Sequence, residues 1–195
     1  MTYSLFNPPA SLDCPPCKVD YNTSEALTML VRACRKHLRI RAPYQSLTVV
    51  CIGTDRSTGD CLGPLVGTHL AKQAGSPYRV FGTLEQPVHA MNLQNKLDAL
   101  LQEDPNTFII AVDACLGQSG NVGAVQIQHG PVRPGAGVNK QLPPVGDMHI
   151  TGIVNVGGFM EYFVLQNTRL HLVMSMAELI GEVIHQSIAG STPVN

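Results

Sequence analysis

The 195-residue chain is 44% hydrophobic, enough to bury a core with both faces of a sheet covered in one domain. Its 13 basic and 14 acidic residues leave a formal charge of −1, which excludes the broad positive field that holds nucleic acid or an anionic membrane surface. No apolar run approaches the roughly 18 residues of a bilayer span, and residues 1–10 lack the basic start and apolar centre of a signal peptide, so a cytoplasmic protein is expected.

Residues 1–22 carry Pro8, Pro9, Pro15 and Pro16 with little periodicity, which predicts an extended arm over 1–23 outside a single α/β domain at 24–190. Cys14-Pro-Pro-Cys17 in that arm is a C-x-x-C that fits a redox pair or half of a zinc site. With no strand before it and no second Cys or His pair at zinc spacing, a mobile arm is the leading reading. From Ser24, Leu27, Leu30, Val31, Cys34 and Leu38 recur at helical steps until Pro43. Residues 47–52 form a continuous apolar run, the mark of a buried strand. The polar stretch IGTDRSTGDCLGPLVG follows, with Asp60 at the point where helical spacing begins over 63–74.

A strand is predicted at 78–82. A helix follows through Leu93, Leu97, Leu100 and Leu101, closed by Asp104-Pro105-Asn106, and then a second buried strand over 107–112 that ends in Asp113. Residues 124–128 read as a strand, 130–146 as a loop rich in glycine and proline, 149–156 as β-like and 159–166 as ambiguous. Residues 170–174 read as a strand, and Leu179, Ile180, Val183, Ile184 and Ile188 mark a last helix. Apolar strands alternating with helices predict an α/β fold of three layers, a mainly parallel sheet with helices on both faces. The site of such a fold lies at the carboxyl ends of the strands.

Asp60 follows the first buried strand and Asp113 ends a later one, so a parallel sheet delivers both to one edge. A carboxylate near a helix start is stabilised by free N–H groups and the dipole, which equally describes an N-cap without chemistry. Asp113, directly after Phe108-Ile109-Ile110-Ala111-Val112, is expected to be partly desolvated. Two such groups together either share a proton or bind a cation, and both arrangements serve hydrolysis. His149 is the candidate imidazole of an Asp/Asp/His metal site with Asp60 and Asp113, against the structural role more usual for a lone histidine. Asp147 reads as a solvated turn residue, and Asp55 and Arg56 as rim residues facing solvent or substrate.

The spacing Gly53, Gly59, Gly63, with no Gly-Lys-Ser/Thr after it, fits neither nucleotide loop. The stretch GPVRPGAGVNK, residues 130–140, fits a phosphate loop or a loop lining a polypeptide cleft. No G-x-S-x-G elbow is present, and Cys61 and Cys115, beside the aspartates, have no evident histidine partner in sequence. Cys34 and Cys51 lie in apolar segments as small hydrophobes.

The segment TGDCLGP at 58–64 resembles the T-P-D-A-L-G-P of the germination protease of spore-forming bacteria. FIIAVDACLGQSGNVGAVQIQHGPVRPGAGVNK at 108–140 resembles that enzyme's stretch from its second aspartate to its P-G-S-G-V-G-N-K loop. The chain resembles more closely, over about 24–187, the shorter YyaC-like sporulation proteins of the same superfamily. The resemblance implies a phosphorylase/hydrolase-like fold shared with the hydrogenase maturation proteases. It implies roles in peptide cleavage for Asp60 and Asp113, and a substrate-framing loop with Gly135, Gly137, Asn139 and Lys140. By likeness to the maturation proteases it also implies a divalent metal, nickel or zinc, on Asp60, Asp113 and His149. Gly59 departs from the pattern where the protease has proline, and GAGVNK is one residue shorter. The resulting expectation is a sporulation-associated endopeptidase acting on a spore or precursor polypeptide. A non-catalytic protease-like binder and a metal-dependent maturation peptidase are the alternatives, and a homo-oligomer is left open.

Overall fold

The two apolar runs form the centre of the sheet. In the computed structural model, which describes residues 15–135 and 142–189, β2 (Leu47–Cys51) is buried at every position. It pairs in parallel with β4 (Phe108–Gly117) from Leu47 opposite Phe108 to Cys51 opposite Val112. Strands buried on both faces need no alternation, which is why both read as mainly hydrophobic runs without a period of two.

Before β2 come β1 (Cys17–Asp20) and α1 (Ala26–Leu38), and after it α2 (Leu62–Ala71), β3 (Arg79–Phe81) and α3 (Leu93–Glu103). Beyond β4 lie β5 (Ala124–His129), β6 (Met148–Val156), α4 (Glu161–Gln166) and α5 (Leu170–Ala189). The sheet order is β1-β5-β6-β4-β2-β3. β6, β4, β2 and β3 run parallel, β5 is antiparallel to β6, and β1 is antiparallel to β5.

Alternation along β4 divides the core. Phe108, Ile110 and Val112 pack with Leu30 of α1, Leu62 and Val66 of α2, and Met176 and Ile180 of α5. Ile109 and Ala111 face the other way, onto Leu93, Leu97 and Leu100 of α3 with Val132 and Val145 of the long β5–β6 connection. Each such fully buried Leu or Ile contributes about 1.5–3 kcal/mol over exposure. The three-layer expectation is therefore met, and no helix among the described residues is long and apolar enough to cross a membrane.

Three local expectations need correction. Residues 17–20 do not belong to an arm outside the core: Cys17 lies opposite Ile127 and Asp20 opposite Ala124, and Val19 is buried. Residues 1–14 of the expected arm, Cys14 of the C-x-x-C included, lie outside the described residues. Residues 170–174 are not a strand but the first turns of α5, whose buried stripe is Val173, Met176, Ala177, Ile180 and Ile184. Finally, β4 does not end at Asp113. It continues to Gly117 against β6, with an irregularity between Cys115 and Leu116.

A candidate two-aspartate site at the carboxyl edge

The connection from β2 leads through α2 outward to β3, whereas the chain leaving β4 turns the opposite way to β5 and β6. The gap above β2 and β4 is thus the topological switch point of the sheet, where open α/β folds bind ligands. The β2–α2 loop carrying Asp60 and the strand carrying Asp113 both rise into it.

Asp113 is 7% exposed and lies opposite Thr151 of β6. Burial pushes its carboxyl well above the ordinary carboxylate range, the charge of Asp60 pushes it further, and the Ala114 N–H opposes the rise. Loss of water disfavours the ionised form, and a like charge nearby adds to that. Asp60, half-buried, thus acts electrostatically on a side chain 53 residues away in sequence.

The loop that presents Asp60 is shaped by its glycines. Gly53 has φ +142°, and a Cβ there would run into the Asp60 carbonyl. Its N–H bonds the Val88 carbonyl (2.8 Å), and the Thr54 N–H bonds the Asp60 carbonyl (3.2 Å). Asp60 is not the N-cap that the alternative reading offered. Cys61 holds that position, and no side-chain hydrogen bond caps α2. Asp55 and Arg56 are exposed at the rim as expected.

His149 does not join the pair. It lies opposite Ala111, two residues before the Asp113–Thr151 pair, about 6.6 Å back along the strands. Its Nδ1–H donates to the Gly130 carbonyl (2.8 Å). Among the described residues no three His, Cys, Asp or Glu side chains are grouped to hold an ion. The expected nickel or zinc set of Asp60, Asp113 and His149 is therefore corrected, since its imidazole belongs to the body of the sheet and not to its edge. Asp147 is not the solvated carboxylate expected either. It accepts the Ile109 N–H (2.7 Å), and burial raises its carboxyl.

The thiols beside the aspartates are poor nucleophiles. Burial pushes Cys115 up to about 11, and burial with the Asp60 charge raises Cys61, whose Sγ donates to the Thr58 carbonyl (2.9 Å). A thiolate needs the opposite surroundings. In the expected substrate loop, Gly135 is described, with φ +72°, while Gly137, Asn139 and Lys140 lie outside the described residues. The base of that loop, Val132 and Val145, packs in the same cluster as Ile52 and Val88.

Sequence reasoning anticipated the end of β6 but left residues 159–166, which hold α4, unassigned and gave them no role. Phe159, Met160, Tyr162 and Phe163 stand exposed there, Phe159 by 90%. The Gly59 N–H donates to the Leu165 carbonyl (2.8 Å), tying this apolar segment to the Asp60 loop. The run FMEYFV at 159–164, apolar but for Glu161, was its available signal.

The family described as "protein of unknown function (DUF1256)" matches residues 18–183. Protein YyaC of Bacillus subtilis (strain 168) is 58% identical over 142 residues, covering 73% of this chain and 69% of that protein. Among solved structures, the NiFe hydrogenase maturation protease HycI from Thermococcus kodakarensis KOD1 aligns with a TM-score of 0.50 at 18% identity, over 78% of this chain and 98% of HycI. That likeness is one of fold.

Proposed function

Starting from a chain that belongs to the DUF1256 family, we propose that the two aspartates form the working pair of an endopeptidase. The carrying observation is the buried Asp113 carboxyl under the charge of Asp60 at the switch point. Of two adjoining carboxyl groups the drier one keeps the shared proton. Asp113 therefore enters the reaction as the acid and Asp60, nearer solvent, as the base.

In the proposed step Asp60 takes a proton from water as the water oxygen attacks a peptide carbonyl carbon. Asp113 hydrogen-bonds the carbonyl oxygen as it gains charge, then gives its proton to the departing amine when the C–N bond breaks. Asp60 returns a proton to Asp113 through the water that enters next. General acid–base transfer of this kind contributes about 10²–10⁴-fold. The exposed apolar residues beside the Asp60 loop and the 135–140 loop are proposed to hold the polypeptide. The likeness of both aspartate segments to the germination protease supports a spore or precursor protein as substrate.

The same exposed patch favours a second reading, a protease-fold protein that docks a sporulation partner without cutting it. Incubating the protein with spore proteins separates the two. Cleavage that drops about 100-fold or more in both Asp60→Asn and Asp113→Asn is expected. Cleavage that survives either substitution overturns the two-aspartate mechanism, and stable capture without cleavage favours the docking reading.

A further inference from the structure

We infer that Asn155 and Thr168 are positioning residues for Asp60, acting through the backbone of Gly59; the inference rests on the reading of Asp60 as the base. Asp113 needs no such aid, because it sits in β4, paired directly to β6. Asp60 sits in a loop outside the sheet ladder, with Asp55 and Arg56 exposed and its turn closed by the Thr54–Asp60 (3.2 Å) and Cys61–Ser57 (3.0 Å) backbone bonds. A pair that shares a proton needs both carboxyls fixed.

The path from the sheet to Asp60 can be followed atom by atom. Asn155, opposite Leu116 in the β4–β6 pair, donates from Nδ2 to the Thr168 hydroxyl (3.2 Å) and the Val164 carbonyl (3.3 Å). Thr168, 6% exposed, donates its hydroxyl to the Val164 carbonyl (2.9 Å). These bonds seat the carboxyl end of α4 on the end of β6. The Leu165 carbonyl then accepts the Gly59 N–H (2.8 Å). A Cβ on Gly59 would come within 2.9 Å of both Leu165 Cδ2 and Thr168 Oγ1, so a larger residue has to push these side chains aside. Proline at this position, as in the germination protease motif, has no N–H to give. The latch is therefore particular to the glycine form.

The test reads the coupling between the carboxyls and does not depend on catalysis. Carboxyl-carbon NMR follows the titration of Asp113 in the full chain, with and without Asp60→Asn, in wild-type, Thr168→Val, Thr168→Ser, Asn155→Ala and Gly59→Ala backgrounds. Asp60→Asn is expected to lower the Asp113 titration in the wild type. In Thr168→Val, Asn155→Ala and Gly59→Ala the same substitution is expected to lower it by roughly half as much or less, the signature of a broken coupling. Thr168→Ser keeps the hydroxyl and is expected to behave as wild type. Should the buried Thr168→Val or the crowded Gly59→Ala fail to fold by circular dichroism, the half-exposed Asn155→Ala decides. Equal coupling in every background overturns the latch while leaving the two-aspartate reading standing. No response of Asp113 to Asp60→Asn in the wild type removes that reading, and the latch with it.

Discussion

Cys51 lies opposite Val112 in the parallel β2–β4 pair, and there the pair ends. The Ile52 N–H still reaches the Val112 carbonyl (2.7 Å), but Asp113, one residue on, has a strand neighbour only on its β6 side. The position combines burial by the sheet with an opening toward the β2–α2 loop. A carboxyl placed there loses water and faces the charge of Asp60, which is the electrical condition for holding a proton that an ordinary aspartate gives up.

That condition has a consequence for stability. The folded chain holds the Asp113 proton above the ordinary value of 3.8, whereas the unfolded chain releases it there. Stability from this group is complete below the ordinary range and declines as pH rises toward the raised folded value. Asp113→Asn keeps the shape and removes the decline. At pH 8 it is expected to be more stable by about 1 kcal/mol, a rise of about 2–4 °C in Tm, with near equality at pH 4. Thermal melts at the two values check it, and a lower Tm for Asp113→Asn at pH 8 would reveal a structural ion partner for the carboxylate.

The thiols next to the aspartates are expected to be bystanders. With Cys115 at about 11, the thiolate is on the order of one part in 10⁴ at pH 7. Cys115→Ser is expected to keep peptide hydrolysis within a few-fold, and brief iodoacetamide treatment at pH 7 to leave it intact. Loss of turnover on alkylation, with Cys115→Ser equally inactive, would move the nucleophile from water to sulfur.

The aromatic residues before and in α4 are expected to separate binding from folding. Phe159, Tyr162 and Phe163 are 90%, 66% and 56% exposed, so truncation to alanine leaves little core to lose, within about 0.5 kcal/mol each. If the segment holds a polypeptide, the triple alanine variant raises KM for a protein substrate and leaves kcat on a short peptide unchanged. Unchanged KM would remove α4 from the docking surface.

The centre of the fold was legible because β2 and the first half of β4 are buried on both faces and therefore almost wholly apolar, Thr48 excepted. Asp60 and Asp113 stood out against those runs for the same reason. β1 was not legible, since only Val19 of its four residues is buried and one residue makes no period. Residues 170–174 were misread because Leu170, Leu172 and Met174 alternate like a strand, yet Leu170 and Met174 are exposed and the helix buries Val173. His149 was misjudged by register. Its neighbour in the sheet is Ala111, not Asp113, and chain order carries no information about that shift of two. The Asn155–Thr168 bond joins side chains across a strand end and a helix end, a contact that periodicity does not encode.

The tightest backbone requirement in the candidate site is at Gly53, and it ties Asp60 to the sheet from the other side. With φ +142° this residue takes a conformation open to glycine and costly to any residue with a Cβ. A Cβ would also meet the Asp60 carbonyl and lie 3.1 Å from the Pro64 ring, so the loop has to move away from the sheet to admit it. The Gly53 N–H bond to the Val88 carbonyl resists the same movement. Gly53→Ala is therefore expected to cost about 2–3 kcal/mol, seen as a lower urea midpoint at unchanged slope. Because the displaced atom belongs to Asp60 itself, the variant is also expected to lose the response of Asp113 to Asp60→Asn, even at low temperature where it remains folded. A variant that loses stability but keeps that response would show that the carboxylate is placed by α2 and α4 alone, with Gly53 serving only to close the turn.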